Sequence, residues 1–175
     1  MKGKKTDMKK ILVVAAHPDD EILGVGATVA KHAAQGDEVY ALILGEGQTS
    51  RGEHREDISA DVVKELHQNT LESAEKVGYK EVYFADFPDN RFDQVDLLDV
   101  VKAVEHKIKE IQPEIIYTHY SGDLNIDHQY TARAVLTATR PIGDYPVKEI
   151  YAFETLSSTA VSYTHLRAHE TEADL

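Results

Sequence analysis

Short apolar runs alternate with helical patterns along this chain of 175 residues, and this alternation constrains the fold more than any other feature. The apolar runs predict strands at residues 11–16, 38–44, 81–87, 114–120 and 147–154. Apolar residues at helical spacing predict helices at residues 22–34, 58–77, 97–111 and 127–139. Strands that alternate with helices of this length form parallel βαβ units with right-handed crossovers. We therefore expect an α/β fold, a Rossmann-like three-layer sandwich with a mostly parallel sheet.

The charge balance excludes several classes of partner. The chain has 31 acidic and 19 basic residues, a net charge of -12. Nucleic acids and anionic membranes both attract basic surfaces, so neither is an expected partner. The apolar runs are shorter than the ~20 residues of a membrane span, and the basic start lacks the long apolar core of a signal peptide. We expect a cytoplasmic protein without membrane insertion; the sequence indicates no oligomeric state.

Polar clusters follow each of the first four predicted strands. In a parallel sheet the carboxyl ends of the strands share one edge, and ligands bind beyond that edge. The clusters are therefore expected to meet there. Because the chain has no cysteine, a metal ion at this edge would be held by histidine, carboxylate or backbone oxygen.

The first cluster is the sequence HPDDE at residues 17–21. His17 and Asp20 are three residues apart and could bind one metal ion if the chain turns back after the strand. Two ligands need at least one more from elsewhere in the chain. The alternative is that Asp19 and Asp20 only cap a helix, with Glu21 in its first turn.

The second cluster, SGDLNIDHQYT at residues 121–131, follows the fourth predicted strand. Asp127 and His128 open a predicted helix there. Two histidines and one carboxylate match the composition of a hydrolytic zinc site, which keeps one position open for water. Alone, His128 could be a histidine without a ligand role at the start of a helix. Two such clusters at two strand ends favour the metal site.

Three motifs of the chain, AHPDDE, FPDNRFD and NIDHQYT, resemble those of the PIG-L/LmbE-like zinc-dependent de-N-acetylases, over residues 10–154. The resemblance implies a zinc hydrolase that removes acetyl from an N-acetylated amino sugar or its conjugate. It implies Zn²⁺ ligands at His17, Asp20 and His128, although such a site also accepts other divalent metals. The resemblance further implies the roles of the remaining residues: Asp19 as general base, Asp127 as an orienting residue and Asp89 as a contact to sugar hydroxyls.

Two positions depart from the family pattern. Asn125 stands where many members have a histidine; an amide can donate a hydrogen bond to substrate but cannot shuttle a proton. Many members also have an arginine in the second helix, which this chain lacks. Arg51 or Arg55, in the preceding loop, could replace it in substrate binding, and ordinary surface charge is the alternative for both.

The chain ends are expected to differ from the family. Members normally continue further, so residues 1–160 are expected to form a partial deacetylase domain, truncated at its carboxyl terminus. Residues 161–175 resemble translated sequencing-adapter DNA and are expected to be a non-native tail. A native polar terminus is the alternative.

Two other functions remain open from the sequence. The first is a nucleotide-binding domain that uses Gly24 and Gly26. The third glycine of the dinucleotide motif is missing, and close helix-sheet packing explains these glycines better. The second is a metal-binding but inactive chain. His119, at the end of the fourth strand, is expected to be a buried structural histidine rather than a ligand.

Overall fold

A five-stranded sheet forms the centre of the molecule. The computed structural model describes residues 8–51, 54–55, 58–142 and 147–156, with the side chain of Arg51 outside the description. The strands are β1 (Lys10–Ala15), β2 (Glu38–Gly45), β3 (Glu81–Phe87), β4 (Ile115–His119) and β5 (Glu149–Phe153). They pair in parallel throughout, in the order β3-β2-β1-β4-β5. The expected mostly parallel sheet is confirmed. Strands β2 and β3 are added in order to one side of β1, and β4 and β5 are added to its other side.

The helices are α1 (Asp20–Leu23), α2 (Gly26–Ala34), α3 (Ala60–Val77), α4 (Leu97–Ile111) and α5 (Ile126–Ala138). The prediction of one helix at residues 22–34 is wrong, because Gly24 and Val25 separate α1 from α2. A Cβ atom on Gly24 would lie 2.2 Å from Cδ2 of Phe153 on β5, so the chain packs directly on the sheet here. This contact agrees with helix-sheet packing at Gly24. The same expectation is wrong for Gly26, because the atoms nearest to a Cβ there belong to Ile22 of α1 and Val77 of α3.

Strand β1 is buried on both of its faces, which explains its uninterrupted apolar sequence. Leu12 and Val14 pack in the cluster that includes residues of α4 and α5. Ile11 and Val13 pack on the other side, with Val29 of α2 among their neighbours. Helices therefore cover both faces, and the three-layer arrangement is confirmed.

Expectations for the carboxyl terminus fall mostly outside the described residues, which end at residue 156. The domain boundary at residue 160 and the tail at residues 161–175 therefore stay predictions. Within the described ranges, no helix has the length and apolar character required to cross a membrane.

Candidate metal centre and active-site cleft

A cleft of about 270 Å³ opens beyond the carboxyl ends of β1 to β4, where the sequence places its polar clusters. It is lined by His17, Pro18, Asp19, Asp20, Gly47, Gln48, Ser50, Leu66, Asp89, Asn90, Asn125 and His128. Residues from four different strand ends therefore meet in one place, which confirms the expected meeting of the clusters at this edge.

The three predicted metal ligands, His17, Asp20 and His128, converge at this cleft. One ligand atom of each lies within 4.8 Å of the others. Asp20 Oδ2 lies 3.5 Å from His17 Nδ1 and 3.3 Å from His128 Nε2. Two imidazole nitrogens and one carboxylate oxygen form a donor set that suits Zn²⁺ and related divalent ions. The residues present therefore fit the implied metal.

Carboxylates on the far side of both histidines fix the orientation of the rings. His17 Nε2 lies 2.9 Å from Asp127 Oδ2, and the backbone N–H of Phe92 donates to Asp127 Oδ1 at 3.0 Å. His128 Nδ1 lies 2.9 Å from Asp123 Oδ2. Metal-binding histidines are commonly held in this way by a carboxylate on the other ring nitrogen. Asp123 was not among the residues singled out from the sequence.

The electrostatics of the cluster keep Asp20 ionised. Burial alone would raise the pKa of Asp20, but the nearby imidazoles of His119, His128 and His17 hold it far below its usual value. Burial alone would lower the pKa of His17, but hydrogen bonds to Asp127 and Asp20 raise it to about 10. The carboxylates thus favour positive charge at the centre of the cluster.

Two other groupings bring ligand atoms within 4.8 Å, but neither suits a single ion as well. In the first, the rings of His119 and His128 stack at 3.9 Å with 19° between their planes. Because the two ring planes are nearly parallel, the lone pairs within them do not point at one ion. In the second, His17 Nε2 lies 2.9 Å from Asp127 and 3.3 Å from Asp89. A hydrogen on that nitrogen accounts for both contacts.

Helix capping does not account for the two aspartates. Asp19 is the N-cap of α1, but its side chain accepts no capping hydrogen bond. Asp20 Oδ2 accepts from the backbone N–H of His17 at 2.9 Å, which closes the turn between the two expected ligands. Asp19 is exposed and lines the cleft, whereas Asp20 is buried. The adjacent residues therefore have separate surroundings.

A network of polar side chains forms another wall of the cleft. Asp89 Oδ2 accepts from the backbone N–H of Ser50 at 3.1 Å and from its hydroxyl at 2.6 Å. Asn125 caps α5, since its Oδ1 accepts from the N–H of Asp127 at 2.8 Å. Its Nδ2 donates to Asn90 Oδ1 at 2.9 Å. Asp89 and Asn125 thus both lie at the cleft; Ser50 and Asn90 were not singled out from the sequence.

The remaining predicted positions lie elsewhere or outside the description. The side chain of Arg51 is not described, so its proposed contact with substrate stays a prediction. Arg55 donates to both carboxylate oxygens of Glu46, at 2.7 and 2.8 Å. His119 is 1% exposed, as expected of a structural histidine, and its Nε2 accepts from the N–H of Ala16 at 2.9 Å.

A larger cavity, of about 540 Å³, lies beside the cleft and is lined in part by Glu46, Arg55 and His67. None of the convergent ligand groups found among the described residues includes a residue of this cavity. We therefore place the candidate active site in the smaller cleft, where the expected ligands meet.

Comparison with known proteins adds independent information about the chain. Residues 12–139 match the PIG-L family, described as GlcNAc-PI de-N-acetylase. "Uncharacterized deacetylase YaiS" of Escherichia coli (strain K12) is 29% identical over 155 residues, covering 86% of this chain and 76% of the relative. "Probable N-acetyl-alpha-D-glucosaminyl L-malate deacetylase 2" of Bacillus cereus is 32% identical over 133 residues, covering 74% of this chain and 60% of the relative.

A solved structure shows that the fold by itself does not decide the reaction. GalB, the 4-carboxy-2-hydroxymuconate hydratase of Pseudomonas putida KT2440, superposes with a TM-score of 0.66 at 24% identity, covering 83% of this chain and 65% of that one. The family match rests on sequence instead, and its residues 12–139 contain the expected ligands His17, Asp20 and His128. On that match, the chain belongs to the PIG-L family of de-N-acetylases.

Proposed function

We propose that this chain is a metal-dependent N-deacetylase that hydrolyses the amide of an N-acetylated amino sugar or its conjugate. The observation that carries the proposal is the convergence of His17, Asp20 and His128 on one point beside the exposed Asp19. The family description and the names of both relatives refer to deacetylases, which supports this reaction over others on the same fold.

The ligands we propose are His17 through Nδ1, Asp20 through its carboxylate and His128 through Nε2. Asp127 and Asp123 occupy the opposite ring nitrogens, so they select the nitrogen that faces the ion. A zinc ion in such a site supplies Lewis-acid polarisation of the substrate carbonyl and lowers the pKa of water to ~7. Zinc is our choice among divalent metals because the donor set suits a tetrahedral site with one open position.

Asp19 is the general base in this proposal. An amide is a poor electrophile, so the attacking water must lose its proton as it reacts. Asp19 lines the cleft next to the expected ligand Asp20 and can accept that proton. It can then deliver the proton to the nitrogen of the leaving amine, so that acetate and the free amino sugar are the products.

The polar wall is proposed to hold the sugar. Asp89, Asn90 and Asn125 present carboxylate and amide groups to the cleft, and these suit the hydroxyls of a sugar. Asn125 Nδ2 has two hydrogens and donates one to Asn90, so the other can contact substrate. We also retain Arg51 as a proposed substrate contact from the loop after β2.

The experiment combines metal analysis with an amine-release assay. The purified chain is loaded with Zn²⁺, dialysed and incubated with N-acetylglucosamine and N,N'-diacetylchitobiose. We expect bound metal and release of free amine, and we expect His128→Ala to lose both. His106→Ala is the matched control, since its side chain is 76% exposed on α4. A folded chain that binds metal but releases no amine from any N-acetylated sugar would be the inactive relative instead.

A further inference from the structure

Glu21, the last residue of the HPDDE motif, is buried in a way that the proposed reaction leaves unexplained. Its side chain is fully buried, at 0% exposure. Oε2 accepts from the backbone N–H of Asp19 at 2.9 Å, and Oε1 has no hydrogen-bond partner among the described residues. Burying a carboxyl group with an unsatisfied oxygen lowers the stability of the fold, so we expect Glu21 to have a role that accounts for this cost.

The residue that Glu21 contacts has an unusual backbone conformation. Asp19 has φ 109° and ψ -31°, a sparsely populated region for a residue other than glycine, which costs about 1–3 kcal/mol. An aspartate at an N-cap normally has extended dihedral angles and accepts a hydrogen bond from the first turn of its helix. Asp19 does not cap in this way, so the surrounding structure must hold it in place.

We propose that Glu21 is a positioning residue for Asp19. By accepting the Asp19 N–H, its carboxylate holds the peptide at positive φ and keeps the Asp19 side chain in the cleft rather than on the end of α1. The inference rests on the proposed function, in which Asp19 is the general base.

A second contact holds Glu21 itself. The hydroxyl of Tyr79, between α3 and β3, donates to the backbone oxygen of Glu21 at 2.9 Å, and both groups are buried. Glu21 is therefore attached to a part of the fold outside the HPDDE turn.

The alternative explanation for the hydrogen bond between Glu21 and Asp19 is half of a capping box. In that motif a glutamate near the start of a helix accepts the N-cap N–H and contributes only to stability. The two explanations predict different kinetics.

The kinetic test compares Glu21→Ala with Glu21→Gln, which keeps an acceptor oxygen. For Glu21→Ala we expect kcat to fall about 100-fold, the size of effect that follows from misplacing a reacting group by about 1 Å. KM and the zinc content should stay within about threefold of wild type, because the ligands are untouched. Glu21→Gln should restore kcat to within about threefold of wild type. If Glu21→Ala fails to fold, Glu21→Met keeps the volume without the acceptor and serves the same comparison.

A variant without the acceptor that has a lower Tm but keeps the wild-type kcat would overturn the inference in favour of capping.

A crystal structure of the same variant tests the inference without reference to turnover. We expect Asp19 to move to negative φ and its carboxylate to accept the N–H of Ile22. Asp19 unchanged at φ near 109° would overturn the inference even if the wild-type chain were an active deacetylase. Absence of amine release from wild type would instead contradict the proposed function, and the crystallographic comparison would still decide the role of Glu21.

Discussion

Asp19 and Asp20 are adjacent in sequence and differ in almost every physical property that the fold gives them. Asp20 is 3% exposed and lies among three histidine nitrogens. Asp19 is exposed at the cleft, with a backbone that turns its side chain away from the helix cap. A buried anion among imidazoles suits metal binding, whereas an accessible carboxylate beside that site suits proton transfer.

This difference predicts separate phenotypes for the two alanine variants. Asp19→Ala should keep zinc and lose about 10²–10⁴-fold in kcat, the usual contribution of a general base. Asp20→Ala should lose zinc itself, because one of the three proposed ligands is removed. Metal content after dialysis, measured beside amine release, distinguishes them. Asp61→Ala, at an exposed position of α3, is the control. Equal loss of zinc in both variants would show that the two roles are wrongly assigned.

The role of Asp123 can be tested by metal affinity alone, without an activity assay. Its carboxylate holds His128 Nδ1 at 2.9 Å and is 3% exposed. Replacement by asparagine removes the negative charge with little change of shape. Loss of such an orienting carboxylate typically weakens metal affinity 10–100-fold, and we expect that range for Asp123→Asn in a titration against a competing chelator. Asp127→Asn should behave alike through His17, and unchanged affinity in both would contradict the orienting roles.

The sequence predicted which residues of the site meet but not how they are held. His17, Asp20 and His128 could be found because histidines and carboxylates at two strand ends are an unusual combination. Asp123 precedes His128 by five residues, outside the helix, so no helical or strand spacing connects them. The contact exists because the loop after β4 folds back on the start of α5. In the sequence, Asp123 is one more carboxylate in the stretch SGDLNIDH, and it cannot be distinguished there from an ordinary polar residue of a loop.

At the scale of elements, the strands were predicted better than the first helix. Each strand lies within two residues of its predicted bounds. For β1, β2 and β4 the reason is that a buried parallel strand is a continuous apolar run. The predicted helix at residues 22–34 contains Gly24 and Gly26, and isolated glycines are tolerated within helical patterns. The break comes at Val25, whose φ of -138° and ψ of 3° leave the helical region, next to the contact of Gly24 with Phe153 of the last strand. No local pattern reveals a partner so far along the chain.

We therefore expect different effects on stability when each of the two glycines is replaced by alanine. A Cβ on Gly24 would lie 2.2 and 2.6 Å from two ring carbons of Phe153, and that ring is itself in contact with His119. We expect Gly24→Ala to lower the free energy of unfolding by about 1–3 kcal/mol, as overpacking does. Gly26→Ala is the matched control, because the nearest atom to its Cβ would be 3.6 Å away. Denaturant titration measures both, and equal losses would contradict the packing argument.

At the scale of the whole molecule, the order of the strands creates the site. Alternation along the sequence predicts a parallel sheet with right-handed crossovers, but it does not specify which strands are neighbours. The order β3-β2-β1-β4-β5 places β1 beside β4, so the turn after β1 faces the start of α5. His17 and His128 come together only through that pairing. The metal site is thus a consequence of long-range topology.

Because its ligands join distant parts of the chain, metal binding should stabilise the fold as a whole. A ligand that binds only the folded state at a thousandfold excess over its Kd contributes about 4 kcal/mol. For a chain of this size, that contribution corresponds to a rise in Tm of about 10 °C. Thermal unfolding with Zn²⁺ and with a chelator measures the difference. His128→Ala should abolish the shift, whereas His106→Ala on the exposed surface should retain it. A shift of equal size in His128→Ala would place the stabilising ion elsewhere, whatever the result of the amine-release assay.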